Sequence, residues 1–309
     1  MVWGVVVKNF PANFLANWGR LGWLSSFGWM VCTGALSAAA SNPQVQISPT
    51  DPPLGYTVSV QITAPPETLL LDQPWVNLTH PDGTQAAYPA FPVAPNRWRA
   101  LLPTTPLDAP GSRQVQIHGF AEEPILPLSL QPRDFPVQSI RLPPGASVWA
   151  TEVEWAKVEA FRQHISPEKY WQGYFQRPAQ GPVTTVFGVR RYYNGEFAED
   201  YYHRGIDYAG PVGAVVVAPA AGRVGLVGYE SEGFRIHGNT VGIDHGQGVT
   251  SLLLHLSRID VQEGDWVEAG QPVGAIGATG TATGPHLHWG LFVHNRSVDP
   301  VPWLHLAIE

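Results

Sequence analysis

The chain has 309 residues, 44% of them hydrophobic and 14% charged, which excludes global disorder and allows two domains of ordinary size. Its formal net charge of -7 excludes the basic excess by which a nucleic-acid protein neutralises phosphates. The 32 glycines and 30 prolines argue for many turns and short strands, and the single cysteine, Cys32, excludes an intramolecular disulfide.

Lys8 and Arg20 are the only charges before Asp51. An apolar run from Leu21 to Leu36 ends in the small residues Ser37-Ala38-Ala39-Ala40. A basic start, an apolar middle and an A-x-A exit make residues 1–40 a secretory signal peptide, with cleavage expected after Ala40. The alternative is an uncleaved membrane anchor, because the run is long and residues 2–7 are also apolar. Either reading exports the body of the protein to the periplasm, the cell envelope or the extracellular space.

Residues 43–141 carry short alternating segments separated by prolines and turn signals such as Pro81-Asp82-Gly83. Strands are expected at 57–63, 75–78, 98–102 and 113–118. Their spacing predicts a small antiparallel β-sandwich of immunoglobulin-like kind. His80 and His118 stand alone there and read as surface or strand histidines.

Residues 142–180 read as a linker with a helix. Pro143-Pro144-Gly145 marks the linker, and Thr151 is the expected N-cap of a helix running to Ile165, where Ser166-Pro167 stops it. Val153, Ala156 or Lys157, Ala160 and Phe161 form its expected apolar stripe. The aromatic run at 170–175 reads as packing at the domain junction.

From Gly181 to the last residue, 309, glycines multiply and helical periodicity disappears. Strands are expected at 184–187, 214–218, 222–227, 240–244, 250–255, 272–276 and 286–293. Turns are expected at Asp244-His245-Gly246 and Glu263-Gly264-Asp265. The chain as a whole is therefore mainly β, with a second all-β domain over 181–309.

This second domain holds the chemistry. His203 and Asp207 are four apart, and Gly205 between them argues for an extended segment rather than a helix. Residues 203, 205 and 207 then share one face, with open space above Gly205. In Gly284-Pro285-His286-Leu287-His288-Trp289, both histidines of the H-x-H strand face one way while Leu287 enters the core. His255 sits among leucines and by itself reads as a buried structural histidine. Two histidines and one carboxylate, with a fourth position left for water, are the pattern of a catalytic zinc site, and no cysteine is present there to close a structural one. The remaining histidines are suited to moving protons.

These motifs occur in a fixed order. His203-x-x-x-Asp207 is followed by Ala218-Pro219-Ala220-Ala221-Gly222-Arg223-Val224 and Ile243-Asp244-His245-Gly246-Gln247-Gly248. His255-Leu256-Ser257, Gly264-Asp265-Trp266-Val267 with Gly270, residues 279–288 and Val298-Asp299-Pro300 complete the set. In this order the region resembles the lysostaphin-type, LytM-like zinc endopeptidases of the M23 peptidase family. The resemblance implies that His203, Asp207 and His288 hold Zn2+, and that His255 and His286 act on the water and the transition state. It also implies a peptidoglycan substrate, with peptide cross-links of the bacterial cell wall as the bonds cut. Leu253-Leu254, Trp289 and Gly290 depart from the residues usual in the family and leave the shape of the groove open.

Asp244 is an expected partner of a ligand histidine, and Tyr193, Asn194, Tyr201 and Tyr202 are candidates to line the groove. The rival to an active enzyme is a silent or autoinhibited regulator of other wall hydrolases. Filled ligand positions disfavour it, and a groove blocked by residues 190–202 would restore it. A glycosidase is disfavoured because no carboxylate pair stands out.

Overall fold

The computed structural model describes residues 42–141 and 149–308. The signal peptide, Cys32 and the Pro143-Pro144-Gly145 linker of the sequence reading lie outside these residues. Among the described residues, no helix is long and apolar enough to cross a membrane.

The first eight strands are β1 (Gln44–Ser48), β2 (Thr57–Thr63), β3 (Leu70–Thr79) and β4 (Gln85–Pro89), then β5 (Phe91–Ala94), β6 (Arg97–Pro103), β7 (Gly111–Phe120) and β8 (Ile125–Leu130). They form two antiparallel four-stranded sheets, ordered β1-β2-β6-β5 and β4-β3-β7-β8. Alternation sets the core between them. Val58, Val60 and Ile62 of β2 and Ala100 and Leu102 of β6 pack with Val76 and Leu78 of β3 and Val115 and Ile117 of β7. Each large aliphatic side chain buried there contributes about 1.5–3 kcal/mol. His118 is structural, stacked on Trp75 with ring centroids 3.9 Å apart and paired with Glu123 at 2.9 Å.

Beyond the sandwich, β9 (Val137–Ile140) precedes α1 (Glu152–Gln163). Thr151 caps α1 in a full capping box, since its side chain accepts from the Glu154 N–H while the Glu154 carboxylate reaches the Thr151 N–H. The buried face of α1 is Glu154, Val158 and Phe161; of the expected stripe Phe161 is buried, while Val153, Ala156, Lys157 and Ala160 are exposed. Apolar periodicity points to Phe161 but not to Glu154, a carboxylate whose burial is satisfied by hydrogen bonds. Phe161 seats the helix over two glycines. A Cβ on Gly225 or Gly242 would stand 2.8 or 2.7 Å from the Phe161 ring.

The remaining strands are β10 (Val183–Thr185), β11 (Arg190–Tyr193), β12 (Glu196–Phe197), β13 (Ile206–Ala209), β14 (Val215–Val217) and β15 (Gly222–Gly228). They continue as β16 (Asn239–Gly246), β17 (Val249–Ile259), β18 (Trp266–Val267), β19 (Pro272–Ile276), β20 (His286–Val293) and β21 (Arg296–Val298). The main sheet runs β10-β13-β20-β17-β16-β15-β18, with β19 bridging β14 and β17 and β21 folding back on β20. Its core includes Val241, Ile243, Leu253, Leu256, Leu287, Trp289 and Leu291. β9 lies parallel to β11, whose hairpin partner is β12.

Asp244 and His245 are inside β16, so the turn expected there lies later in the chain. Gln247 and Gly248 connect β16 to β17 with φ of 51° and 77°, the positive values that a tight hairpin turn requires.

The aromatic run packs at the junction as expected. Trp171, Phe175 and Trp303 are all buried and in mutual ring contact. Arg99 of the sandwich lies 4.8 Å from the Trp171 ring centroid and donates to the Ile308 carbonyl at 3.0 Å and to the Gln247 side chain. Arg296–Asp108 and Arg133–Asp299, both at 2.8 Å, add two ion pairs between the sandwich segment and the last strands.

Candidate metal centre

Two neighbouring strands bring the first groups together. β13 and β20 are antiparallel, and their register sets Asp207 directly opposite His288. His203 precedes β13 and is tied down by its own backbone, its N–H donating to Val189 O and its carbonyl accepting from Gly188 N, both at 2.9 Å. His203 Nε2, His288 Nδ1 and Asp207 Oδ1 then converge. The separations are 3.1 Å for His203–Asp207, 3.0 Å for His203–His288 and 2.9 Å for His288–Asp207.

These contacts cannot all be ordinary hydrogen bonds. His203 Nδ1 lies 2.9 Å from the Val186 carbonyl and must donate to it, so His203 Nε2 carries a lone pair. Asp207 Oδ1 is also an acceptor, which leaves at most one N–H, on His288 Nδ1, among three electron-rich atoms. A cation at their centre satisfies all three. The spacing lies near the roughly 3.3 Å edge of a tetrahedron with bonds of about 2.0 Å, as zinc prefers. The residues therefore fit a zinc ion.

Electrostatics points the same way. Burial alone would raise the Asp207 pKa, but the adjoining imidazoles of His203 and His288 outweigh it and hold the carboxyl well below its usual range. Burial pushes His288 down to about 4, with the neighbouring Asp207 opposing and the His203 and His286 charges adding to the shift. A neutral imidazole and an ionised carboxylate are the protonation states that bind metal.

Gly205 has no open space above it, contrary to the sequence expectation. A Cβ there would lie 2.3 Å from Trp289 O and 2.7 Å from His288 Nε2. The glycine lets the His288 ring lie against the backbone of the first ligand segment.

His255 and His286 lie beside this group, with ring centroids 4.8 Å apart. His286 Nδ1 donates to Gly284 O at 2.8 Å, and its Nε2 stands 3.8 Å from Asp207 Oδ1. His255 Nδ1 donates to Thr279 O at 2.9 Å. In both rings the proton is thus placed on Nδ1, leaving Nε2 as the free nitrogen. Burial, then the charges of His288 and His286, push His255 down to about 3.

His255 reaches this position through an irregular backbone. β17 pairs with β20 as far as Leu254↔His288 and with β19 from Leu256↔Ile276. His255 falls between these partners with φ of 64°, a left-handed conformation that costs a non-glycine residue on the order of 1–3 kcal/mol.

The other candidates divide. Asp244 is no partner of a ligand histidine, since it accepts from Gly246 N at 2.8 Å and from the Ser166 hydroxyl at 2.5 Å. Val186 O, Gly284 O and Thr279 O instead fix the rings of His203, His286 and His255, and backbone carbonyls leave no mark in a sequence. Tyr202 is buried and bonded to Ser297 Oγ at 2.7 Å. Tyr201 accepts from Arg191 at 2.9 Å, with Tyr193 3.4 Å from the same nitrogen. Asn194 and Gly195 form the turn of the β11–β12 hairpin with φ of 53° and 93°. An Asn-Gly pair favours such a turn, so this hairpin rather than a groove-lining role accounts for Asn194. His245 is structural, fully buried between Ala221 O at 2.9 Å and Ser251 Oγ at 2.8 Å.

Residues 201–300 match the model of Peptidase family M23. The DD-carboxypeptidase/endopeptidase Mpg of Neisseria meningitidis serogroup B is 41% identical over 99 residues, which are 32% of this chain and 22% of that protein. The peptidoglycan DD-endopeptidase ShyB of Vibrio cholerae is 41% identical over 100 residues, 31% of this chain and 22% of that protein. Lysostaphin of Staphylococcus simulans is 36% identical over 110 residues, 34% of this chain and again 22% of that protein. The chain thus spans about a fifth of the length of these curated relatives. A solved structure described as an M23 peptidase from Pseudomonas aeruginosa aligns with a TM-score of 0.59 and 26% identity, covering 83% of this chain and 95% of that one.

Proposed function

From a chain that carries a peptidase family M23 domain over residues 201–300, we propose a zinc-dependent endopeptidase that hydrolyses peptide cross-links of bacterial peptidoglycan. One observation carries this reading. Three ligand atoms of His203, Asp207 and His288 converge within 3.1 Å, with two further imidazoles, His255 and His286, alongside. The names of the relatives from Neisseria and Vibrio make a bond between D-amino acids the first substrate to try.

In this reading His203, Asp207 and His288 hold the ion. Zinc bound there would lower the pKa of water to about 7 and polarise a carbonyl oxygen. His255 and His286 share the proton work through their free Nε2 atoms. One accepts the proton of the attacking water at its Nε2; the other, when it also carries a proton on Nε2, donates that proton to the oxyanion and then to the leaving amine. Their anchored Nδ1 atoms keep both rings from turning away. The protein works outside the cytoplasm, with residues 1–40 as its export signal or anchor. The strand orders β1-β2-β6-β5 and β4-β3-β7-β8 support reading the sandwich as immunoglobulin-like.

The test is digestion of a purified dimeric muropeptide by the zinc-loaded protein, with products read by mass. Two monomers in place of the dimer, and none after chelation, are expected. Intact dimer after incubation with protein of full zinc content would overturn the proposal.

A further inference from the structure

We propose that Glu154, on the connector helix and outside residues 201–300, is a positioning residue that holds His255 in its working place. The inference rests on the catalytic reading of His255 given above.

Glu154 is fully buried, and a buried carboxylate is tolerated only when its oxygens are satisfied. Its partners are concentrated on one loop. Oε2 accepts from Arg235 N at 3.1 Å, and Oε1 accepts from Ile236 N at 3.0 Å and His237 N at 2.7 Å. His237 Nδ1 lies 2.6 Å from Oε1 as well. Three successive backbone N–H groups turned onto one anion form a nest, a geometry that a neutral or apolar side chain does not hold together.

That loop bears on His255 by two routes. The carbonyl of His237 accepts the His255 N–H at 2.9 Å, at the residue whose φ of 64° interrupts β17. The carbonyl of Ile236 accepts from Thr281 N at 3.1 Å, which ties the loop to the segment whose Thr279 carbonyl fixes the His255 ring. Thr279 Oγ1 closes the circuit, accepting from Asn239 N and donating to Leu256 O, both at 2.9 Å. The main-chain and ring anchors of His255 therefore both depend on residues 235–239. Glu154 is the anion around which that loop is wound. Its own place is set by the Thr151 capping box and by Phe161 and Val158 packed on the sheet.

The test compares Glu154→Gln with Ala156→Gly, an exposed position at which glycine weakens the same helix. The readouts are hydrogen exchange at the His255 amide, zinc content, and kcat and KM on a dimeric muropeptide. In Glu154→Gln an amide group faces the N–H donors, so the loop loosens. The expected result is faster exchange at His255 by tenfold or more, unchanged zinc, kcat lower by about 10²-fold and KM within about threefold. Ala156→Gly leaves kcat and the His255 amide at wild-type values. If Glu154→Gln does not fold, His237→Ala, which removes only the imidazole partner, must move the same readouts in the same direction by a smaller factor. Wild-type exchange and kcat in Glu154→Gln would overturn the proposal, as would equal losses in Glu154→Gln and Ala156→Gly. A His255→Ala protein that cleaves at the wild-type rate overturns the catalytic reading instead, and the exchange result then still reports the contact between Glu154 and the His255 backbone.

Discussion

Single residues at this centre separate by what they touch. His203, Asp207 and His288 offer converging lone pairs, so alanine at any of them should abolish zinc binding, as read by metal content after dialysis. His255→Ala and His286→Ala should keep the metal and lose roughly 10²–10⁴-fold in kcat, the usual worth of a general acid or base. A variant of this second pair that loses its zinc would contradict the division of roles. Gly205→Ala forces a Cβ against Trp289 O and the His288 ring, so it should lower both stability, by about 1–3 kcal/mol, and zinc affinity. Wild-type urea midpoint and zinc affinity in that variant would show that the ring is not wedged there.

His245 gives a prediction in pH. Burial pushes it down to about 4, below the unfolded value of about 6.5. Between these values the unfolded chain binds the extra proton, so stability is full above pH ~6.5 and is lost as pH falls toward ~4, by about 3 kcal/mol at the limit. Urea midpoints from pH 7.5 to 4.5 should fall accordingly, and His245→Asn should flatten part of that slope. An unchanged slope in the variant would assign the acid sensitivity elsewhere.

At the scale of elements, strands were easier to read than the contacts between them. The expected bounds at 57–63, 272–276 and 286–293 coincide with β2, β19 and β20, because alternation and flanking turn residues are local signals. The shared face of His286 and His288 follows from the same period of two. The buried face of α1 was legible from hydrophobicity only at Phe161, since it begins with Glu154, a charge whose partners lie more than eighty residues away on another loop. The space above Gly205 was misjudged for a related reason, because the ring that fills it arrives from β20. The positive φ of His255 arises where β17 changes partners, and a leucine-rich run gives no sign of that. The seating of α1 is open to direct test. Phe161→Ala should cost about 3–5 kcal/mol in urea unfolding, since the ring fills the space above two glycines. A cost below about 1 kcal/mol would mean that the helix is not packed as described.

At the scale of the molecule, the sandwich and the C-terminal β region share a buried junction built on Arg99, Trp171, Phe175 and Trp303. Composition predicted aromatic packing there, but nothing in the sequence indicated that a sandwich arginine would be its cationic centre. The junction makes the two parts thermodynamically dependent, so they should unfold in one transition, and Arg99→Ala should separate it into two. Two transitions in the wild-type protein would contradict that coupling. The connector is held at both ends, α1 by the C-terminal sheet through Phe161 and Trp171 by Arg99 of the sandwich.

The most direct test of the central claim is digestion of purified peptidoglycan sacculi by zinc-loaded protein beside His255→Ala of equal zinc content, with released fragments identified by mass. Loss of cross-linked fragments with the wild-type protein alone is the expected result. No release by the zinc-loaded wild type, or equal release by both proteins, would contradict it.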